Sequence, residues 1–377
     1  MPASSPPPCS ETEARLQEAL RWAARGRYRT APNPRVGALL VANGRVVGRG
    51  FHAEFGGPHA EILALSEAGA RARGATLFVT LEPCVHHGRT PPCVAAIIAA
   101  GVERVVFCHR DPDPRVAGRG RARLVEAGIA VDSGHLVAEA VELNLPFLIF
   151  HLRGRPAVTL KWAMTLDGRI ATATGESRWI SSVAGRRWGL ALREEHDAIV
   201  VGSGTVLADD PRLDRRLGRA RGPILRVVLD RRLRLTPERR LFAIEGPVLV
   251  YTESSDAARR EALASAGAEV VGLLTVTPAT VAADLMARGI QSVLVEGGAG
   301  VLGAFVAAGL FDRVAVDLAP KLVGGEGAPG PVAGVGVQVL ADALELESVT
   351  VGRRGGDVVV NGIRRGCLRE LSASLVE

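Results

Sequence analysis

A chain of 377 residues is long for one hydrophobic core and predicts two domains. With 47% apolar and 23% charged residues it reads as a soluble globular protein, and it contains neither an apolar run long enough to span a membrane nor an apolar leader in residues 1–10, so the cytoplasm is the expected location. The net charge of +6 is scattered along the chain, which suits an anionic small molecule as well as it suits nucleic acid. Five cysteines make no disulfide framework, and Cys9, Cys108 and Cys367 read as reduced thiols. Lys161 and Lys321 are the only lysines among many arginines, so a Lys kept against that bias marks a place where a compact, titratable ammonium is wanted.

Residues 1–10 are rich in Pro and Ser and are expected to be disordered. Ser10 and Glu13 form a capping-box pattern ahead of a helix over 11–24. The Pro-bracketed turn 32–37 carries Asn33, whose amide could read the edge of a pyrimidine or could simply tolerate the turn. Asn43-Gly44 predicts a tight hairpin between strands 36–41 and 45–50. His52 could be a second polar group in a pocket or a structural residue.

Pro58-His59-Ala60-Glu61 then opens the most informative stretch, which closes with Glu82-Pro83-Cys84, eight residues, and Cys93. One imidazole and two thiolates suit Zn²⁺ and leave a fourth tetrahedral position for water. Glu61, two residues from His59, is placed to carry that water's proton. Apolar spacing starts helices at Ala60 and at Cys93, with a strand over 75–80 between them, so both His59 and Cys93 sit at helix N-termini, where the dipole favours a thiolate. A purely structural site completed by His86 or His87 is the alternative. A strand over 104–108, a helix near 118–127 and a strand over 129–132 complete a three-layer α/β unit.

The pattern breaks at 144–156, where Pro146 and Arg153-Gly154-Arg155-Pro156 read as a linker, so domains are expected over 11–150 and 151–377. The second begins with a strand over 157–163, a turn over 164–169 and a helix over 184–195. A strand over 198–201 runs into Gly202-Ser203-Gly204-Thr205 and a turn over 207–211. Strands at 225–230, 248–251, 268–271 and 292–296 alternate with helices, which predicts a mainly parallel sheet covered on both faces, finished by antiparallel strands at 312–318, 347–351 and 357–360. After the strand at 292–296, Gly297-Gly298-Ala299-Gly300-Val301-Leu302-Gly303 has the glycine spacing that admits a pyrophosphate to a helix N-terminus. Several strands precede it, so a Rossmann domain is disfavoured.

The string from Pro83 to Cys93, with Lys161 to Arg169, Gly175 to Ile180, Val201 to Pro211 and Val295 to Gly303, resembles the bifunctional deaminase/reductase family of riboflavin biosynthesis over nearly the whole chain. The resemblance implies a cytidine-deaminase-like α/β/α domain followed by a dihydrofolate-reductase-like α/β domain using NADPH. By its motifs the zinc ligands are His59, Cys84 and Cys93, and Glu61 is the proton carrier. Cofactor contacts are Ala163, Trp179, Thr205, Asp209 and Gly297, Gly298, Ala299, Gly300, Val301, Leu302 and Gly303. Substrate contacts are Ser177, Arg193, Leu213, Arg216 and Glu296, the two arginines suiting a phosphate. Lys161 and Asp209 are candidates for proton handling. The implied substrate is a phosphorylated diaminopyrimidine, with no nucleic-acid or membrane partner and a homo-oligomeric assembly expected. The rival reading is a zinc base deaminase whose second domain grips nucleic acid, although aromatics are only 4% of the chain where stacking would need them.

Overall fold

The computed structural model describes residues 10–85 and 91–376, in two compact units: the chain up to Arg153 together with the stretch from Leu368, and Gly154–Cys367. In the first unit, Ser10 and Glu13 form both bonds of the capping box at the start of α1 (Glu11–Ala23), with Glu13 N donating to Ser10 Oγ at 3.2 Å and Ser10 N to Glu13 Oε2 at 3.1 Å. Strands β1 (Gly37–Ala42) and β2 (Arg45–Phe51) pair antiparallel through Asn43 and Gly44, whose φ values of +52° and +72° are those a type I′ turn requires. Then come α2 (Ala60–Ala68), β3 (Thr76–Val79), α3 (Cys93–Ala99), β4 (Arg104–Phe107), α4 (Arg119–Glu126) and β5 (Ala130–Ser133). The sheet order is β2-β1-β3-β4-β5, antiparallel as far as β3 and parallel beyond it.

Alternation along β1 divides the core between the two faces of that sheet. Leu39 and Val41 pack with Leu16 and Ala19 of α1, whereas Ala38 and Leu40 pack with Ala60 and Ala64 of α2 and with Cys93 and Ile97 of α3. On β2, an added Cβ at Gly48 or Gly50 would lie 2.2 or 2.1 Å from a backbone oxygen of α2, Ala64 O or Ala60 O. The two glycines therefore let α2 rest directly on the sheet, and this close contact fixes where its first turn, carrying His59 and Glu61, points.

The expected linker at 144–156 is mostly helical instead: α6 (Leu145–Arg153) occupies most of it, directly after α5 (Val137–Leu143). Pro146 does not break α6, because it lies in the first helical turn, where its missing N–H has no intrahelical partner.

The second unit comprises β6 (Ala157–Thr165), α7 (Val183–Arg193), β7 (Ala198–Gly202), α8 (Ser203–Asp209), β8 (Leu225–Leu229), β9 (Val248–Thr252), α9 (Ala257–Ser265), β10 (Ala268–Gly272), α10 (Pro278–Ala287), β11 (Ser292–Val295), α11 (Ala299–Ala307), β12 (Arg313–Ala319), β13 (Leu346–Arg354) and β14 (Asp357–Arg364). Its strand order is β10-β9-β8-β7-β11-β6-β12-β14-β13. Pairing is parallel from β10 through β12, while β12 with β14 and β14 with β13 pair antiparallel, so the expected antiparallel ending is present, with β12 also joined to β6 in parallel. Helix α8 replaces most of the expected turn at 207–211, and Asp210 closes it in the left-handed region at φ +43°.

The expected second domain, 151–377, differs from the structure at both ends. The first unit keeps α6 through Arg153, and most of the last helix, α12 (Cys367–Val376), returns to it. Leu371 and Leu375 of α12 are buried, and Arg153 Nη2 binds Glu370 Oε2 at 2.6 Å. Among the described residues no helix is long and apolar enough to cross a membrane.

Candidate functional sites in the two units

In the first unit His59 is the N-cap of α2 and Cys93 is the first residue of α3, as the apolar spacing predicts. His59 Nδ1 lies 3.1 Å from Cys93 Sγ and 3.5 Å from Cys84 Sγ, and the three ligand atoms all fall within 4.8 Å of one another. Zn–S bonds of about 2.3 Å and Zn–N bonds of about 2.0–2.1 Å imply tetrahedral edges of roughly 3.5–3.8 Å, so one borderline nitrogen and two soft sulfurs fit zinc. His86 and His87, the possible fourth ligands of a structural site, lie outside the described residues.

The metal corner is held from behind. Glu82 is buried and its carboxylate accepts from three backbone donors: Asp111 N at 3.1 Å, Gly118 N at 2.9 Å and Arg121 N at 2.9 Å. A Cβ at Gly120 would stand 2.3 Å from Pro83 O, so α4 lies against the Pro83-Cys84 backbone. Cys93 N in turn points at Cys84 Sγ at 3.4 Å.

Electrostatics favour a thiolate here. The hydrogen bond from Cys93 and then that from His59 draw the Cys84 thiol down to about 4, while Cys93, as the donor of the pair, is held high. The contact with Cys84 raises His59. Glu61 is 4% exposed, and burial, reinforced by the Cys84 charge, pushes its carboxyl up to about 7. A carboxyl poised near neutrality beside a water-binding cation has the properties of a proton carrier.

Asn33 and His52 adjoin this cluster. Asn33 Nδ2 lies 3.2 Å from His52 Nε2, while His52 Nδ1 lies 3.0 Å from Pro58 O. With the His proton on Nδ1, donated to the carbonyl, Nε2 accepts from the Asn33 amide and leaves the Asn33 carbonyl oxygen as the end available to a ligand. Burial lowers His52, and its ring meets that of His59 edge-on with centroids 5.5 Å apart.

The second unit brings together only part of its expected set. Glu296, just past β11, accepts two bonds from Arg193 at the end of α7, from Nε and from Nη2, each at 2.8 Å, and Lys161 Nζ on β6 lies 3.9 Å from the same carboxylate. Burial alone would raise the Glu296 carboxyl, but Arg193 and Lys161 outweigh it and hold it at about 2. Arg216 pairs with Asp214, which also binds Arg212. The Leu213 side chain is 2% exposed and packed in the core with Val201 and Val206, so any ligand contact there comes from its backbone. Ser177 is half-buried, and Trp179, 61% exposed, lies under the Arg186 guanidinium at 4.5 Å from its ring centre. Ala163 is on β6, Asp209 ends α8 and pairs with Arg178 at 3.4 Å, and Thr205 Oγ1 is 3.3 Å from where a Gly298 Cβ would stand.

The glycines from Gly297 to Gly303 do different jobs. A Cβ at Gly297 would strike Val201 Cα at 2.7 Å and one at Gly303 would strike Ala333 O at 1.8 Å, so these two serve packing. Gly298 needs φ +59°, and a Cβ at Gly300 would meet nothing within 4 Å. Gly300 faces a cavity of about 560 Å³ that Val301 and Gly202, Ser203 and Gly204 also line. The same cavity is lined by Asp230, Arg231, Arg232 and Arg234, which the sequence reading passes over; a basic turn directly after a strand was the available signal, diluted in a chain so rich in Arg.

Fold and sites together define a two-unit enzyme, a His-Cys-Cys zinc deaminase of α/β/α form followed by a reductase of dihydrofolate-reductase-like form. Residues 10–109 match the cytidine and deoxycytidylate deaminase zinc-binding region, and residues 156–360 match the RibD C-terminal domain. The riboflavin biosynthesis protein RibD of Bacillus amyloliquefaciens is 43% identical over 92% of this chain and 95% of its own length, and that of Escherichia coli is 42% identical over 93% and 99%. The solved structure of Acinetobacter baumannii RibD covers 94% of this chain and 98% of its own, with TM-score 0.84 at 37% identity. A Thermotoga maritima diaminohydroxyphosphoribosylaminopyrimidine deaminase/5-amino-6-(5-phosphoribosylamino)uracil reductase gives TM-score 0.80 at 36% identity, over 94% and 98% of the two chains. The chain belongs to the RibD family of bifunctional riboflavin-biosynthesis enzymes. The nucleic-acid-gripping second domain of the rival reading gives way to this reductase.

Cys84→Ser removes the soft ligand whose thiolate His59 and Cys93 support. Zinc measured by metal analysis on purified protein is expected to fall from about one per chain to under a tenth, with NADP⁺ binding by the second unit unchanged.

Proposed function

We propose that the first unit removes the 2-amino group of 2,5-diamino-6-(5-phosphoribosylamino)pyrimidin-4(3H)-one, and that the second reduces the ribosyl chain of the product to ribityl, giving 5-amino-6-(5-phosphoribitylamino)uracil. The observation that carries the deaminase half is the buried Glu61 carboxyl two residues from His59, beside a donor trio that fits zinc. Held by His59, Cys84 and Cys93, zinc supplies an acidified water near neutral pH. Glu61 would take that water's proton as the oxygen bonds to carbon and pass it to the adjacent ring nitrogen, then take the proton of the new hydroxyl and give it to the amine, so that the C–N bond breaks, ammonia leaves and the carbonyl forms. Asn33, its amide tied to His52, turns its carbonyl oxygen toward the pyrimidine edge.

In the second unit NADPH supplies the hydride to C1′ of the ring-opened ribosylamine. Glu296 holds Arg193 and Lys161 in place, and Lys161, the one lysine in the network, is the group assigned to handle the proton at the imine nitrogen. Arg216, and the Nη1 of Arg193 left over from its fork on Glu296, offer donors to the substrate phosphate. Ser177 and the Leu213 backbone complete that pocket, and Ala163, Trp179, Thr205 and Asp209 border the cofactor. Both substrates are soluble small molecules, which fits a cytoplasmic enzyme, and a homo-oligomer is the assembly we expect.

Supplying the diaminopyrimidine phosphate with and without NADPH, and weighing the products, tests both halves together. Loss of one amino group as a ketone without NADPH, and gain of two hydrogens with it, is the expected pair of mass changes. No mass change in either arm would refute the reading. Gly300→Val places a branched side chain in open cavity space, so NADP⁺ binding by calorimetry is expected to weaken by about tenfold or more while ammonia release stays as it was.

A further inference from the structure

Residues 210–224 form no regular element between α8 and β8, yet they carry Leu213 and Arg216, two of the groups assigned to the substrate. A loop of that length would spread Arg216 over many positions unless something ties it down. The tie is Glu194, directly after Arg193 at the C-terminal end of α7. It is 2% exposed, and its carboxylate accepts from three loop amides, Oε1 from Leu217 N and Oε2 from Arg219 N and Ala220 N, each at 2.9 Å. Burial alone would raise this carboxyl, but the three amides outweigh it and hold it below its ordinary value. A negative charge at a helix C-terminus opposes the helix dipole, so α7 itself gains nothing from it. Arg215 completes the clasp from the loop side: its Nε donates to Arg193 O at 3.0 Å, its Nη2 to His196 O, and its Nη1 to Arg221 O and Gly222 O at 3.2 Å.

Arg216 is thus fixed on both sides, through the Arg215 side chain and through the Leu217 amide. Its guanidinium pairs with the Asp214 carboxylate, and Arg193 Nη1 lies 3.5 Å from Asp214 O, so the two guanidinium groups meet at one residue. Arg212 also binds Asp214, at 3.0 Å, which leaves two guanidinium groups on one carboxylate, a net positive charge suited to a phosphate. We propose that Glu194 is a positioning residue for the substrate phosphate: through the amides of Leu217, Arg219 and Ala220 it keeps Arg216 beside Arg193, and it thereby sets how strongly the second unit prefers the 5′-phosphorylated substrate over its dephosphorylated form. The inference rests on the reductase reading and on Arg216 meeting that phosphate. Two forked cations recognise a phosphate only when their spacing matches it, and a displacement of about 1 Å can cost roughly a hundredfold.

The test is steady-state NADPH oxidation by the purified full chain on the deaminated substrate, with and without its 5′-phosphate. It compares wild type, Glu194→Gln, Glu194→Asp, Arg216→Met and the Glu194→Gln/Arg216→Met double variant, with melting curves to confirm folding. In Glu194→Gln either orientation of the amide turns an NH2 onto at least one loop N–H. KM for the phosphorylated substrate is expected to rise by about tenfold with kcat within about twofold, while kcat/KM for the dephosphorylated form moves by less than about twofold. Glu194→Asp, which keeps the charge, should recover part of the rise, and the double variant should be little worse than Arg216→Met alone, since both act through one guanidinium. NADP⁺ affinity and ammonia release should not move. A KM rise equal for both forms of the substrate, or a lowered melting temperature with KM unchanged, would make Glu194 a structural residue and overturn the inference. If Arg216→Met leaves the phosphorylated KM where it was, the phosphate sits elsewhere and the inference falls with that assignment. If wild type oxidises no NADPH on either form, the reductase reading itself fails and takes this inference with it.

Discussion

Glu61→Gln is expected to lower the deamination rate by roughly 10²–10⁴-fold, with zinc content, melting temperature and NADPH oxidation on pre-deaminated substrate unchanged. Glutamine has the same shape and can still hydrogen-bond, but it cannot take a proton from water and return it to a ring nitrogen. The buried position makes the substitution informative, because replacing a 4%-exposed carboxyl by a neutral isostere removes a desolvated acid and creates no cavity. Ammonia release, followed with zinc analysis on the same sample, checks it. Zinc retained with near wild-type ammonia release would show that another group moves the proton. Zinc lost together with activity would show that Glu61 supports the metal.

The zinc trio was legible in the sequence because its information is local and chemically rare. Few side chains bind zinc, and a Cys that opens one helix and a His that caps another are fixed by apolar spacing that any reader can count. What holds the trio was not legible. Glu82 stands in the same motif as Cys84, yet its three partners are backbone amides of residues 111, 118 and 121, supplied by a loop and the first turn of α4 that only the fold brings there. The pairing of Asn33 with His52 is of the same kind: each residue could be suspected alone, but the bond that orients the amide runs from a turn to the far end of a hairpin.

In the fold, alternation and turn chemistry marked the strands well, and errors gathered where a breaker residue was read without its position. Pro146 suggested a linker, although in a first helical turn proline is benign. The last residues were counted with the second domain by sequence order, while the helix they form, with Leu371 and Leu375 buried, belongs almost wholly to the first unit. At the glycine stretch the residue type was clear but its purpose was not: Gly297 and Gly303 admit neighbouring backbone, and only Gly300 opens onto the cavity. The Arg231 to Arg234 turn was hidden by abundance, since one basic cluster among so many arginines has little contrast.

Glu296→Gln is expected to cost the second unit about 3–5 kcal/mol, because it strips the counter-charge from Arg193 and Lys161, both largely buried, and leaves them to repel each other. For a unit of this size such a loss lowers the melting temperature by about 10 °C. The pH dependence carries the same signature. The folded carboxyl sits at about 2, below its ordinary 4.5, so its contribution is fully present above pH 4.5 and disappears as the pH falls from there through about 2. Wild-type stability should therefore drop steeply across that window, and the variant, with no carboxyl to titrate at this position, should show a shallower slope there. The double variant Glu296→Gln/Arg193→Met separates pairing from simple packing. If the ion pair is the cause, removing the orphaned guanidinium recovers part of the loss, and the two substitutions are strongly non-additive. A loss under about 1 kcal/mol for Glu296→Gln, or additivity in the double variant, would mean that water reaches this network and that the pair is worth no more than a surface ion pair.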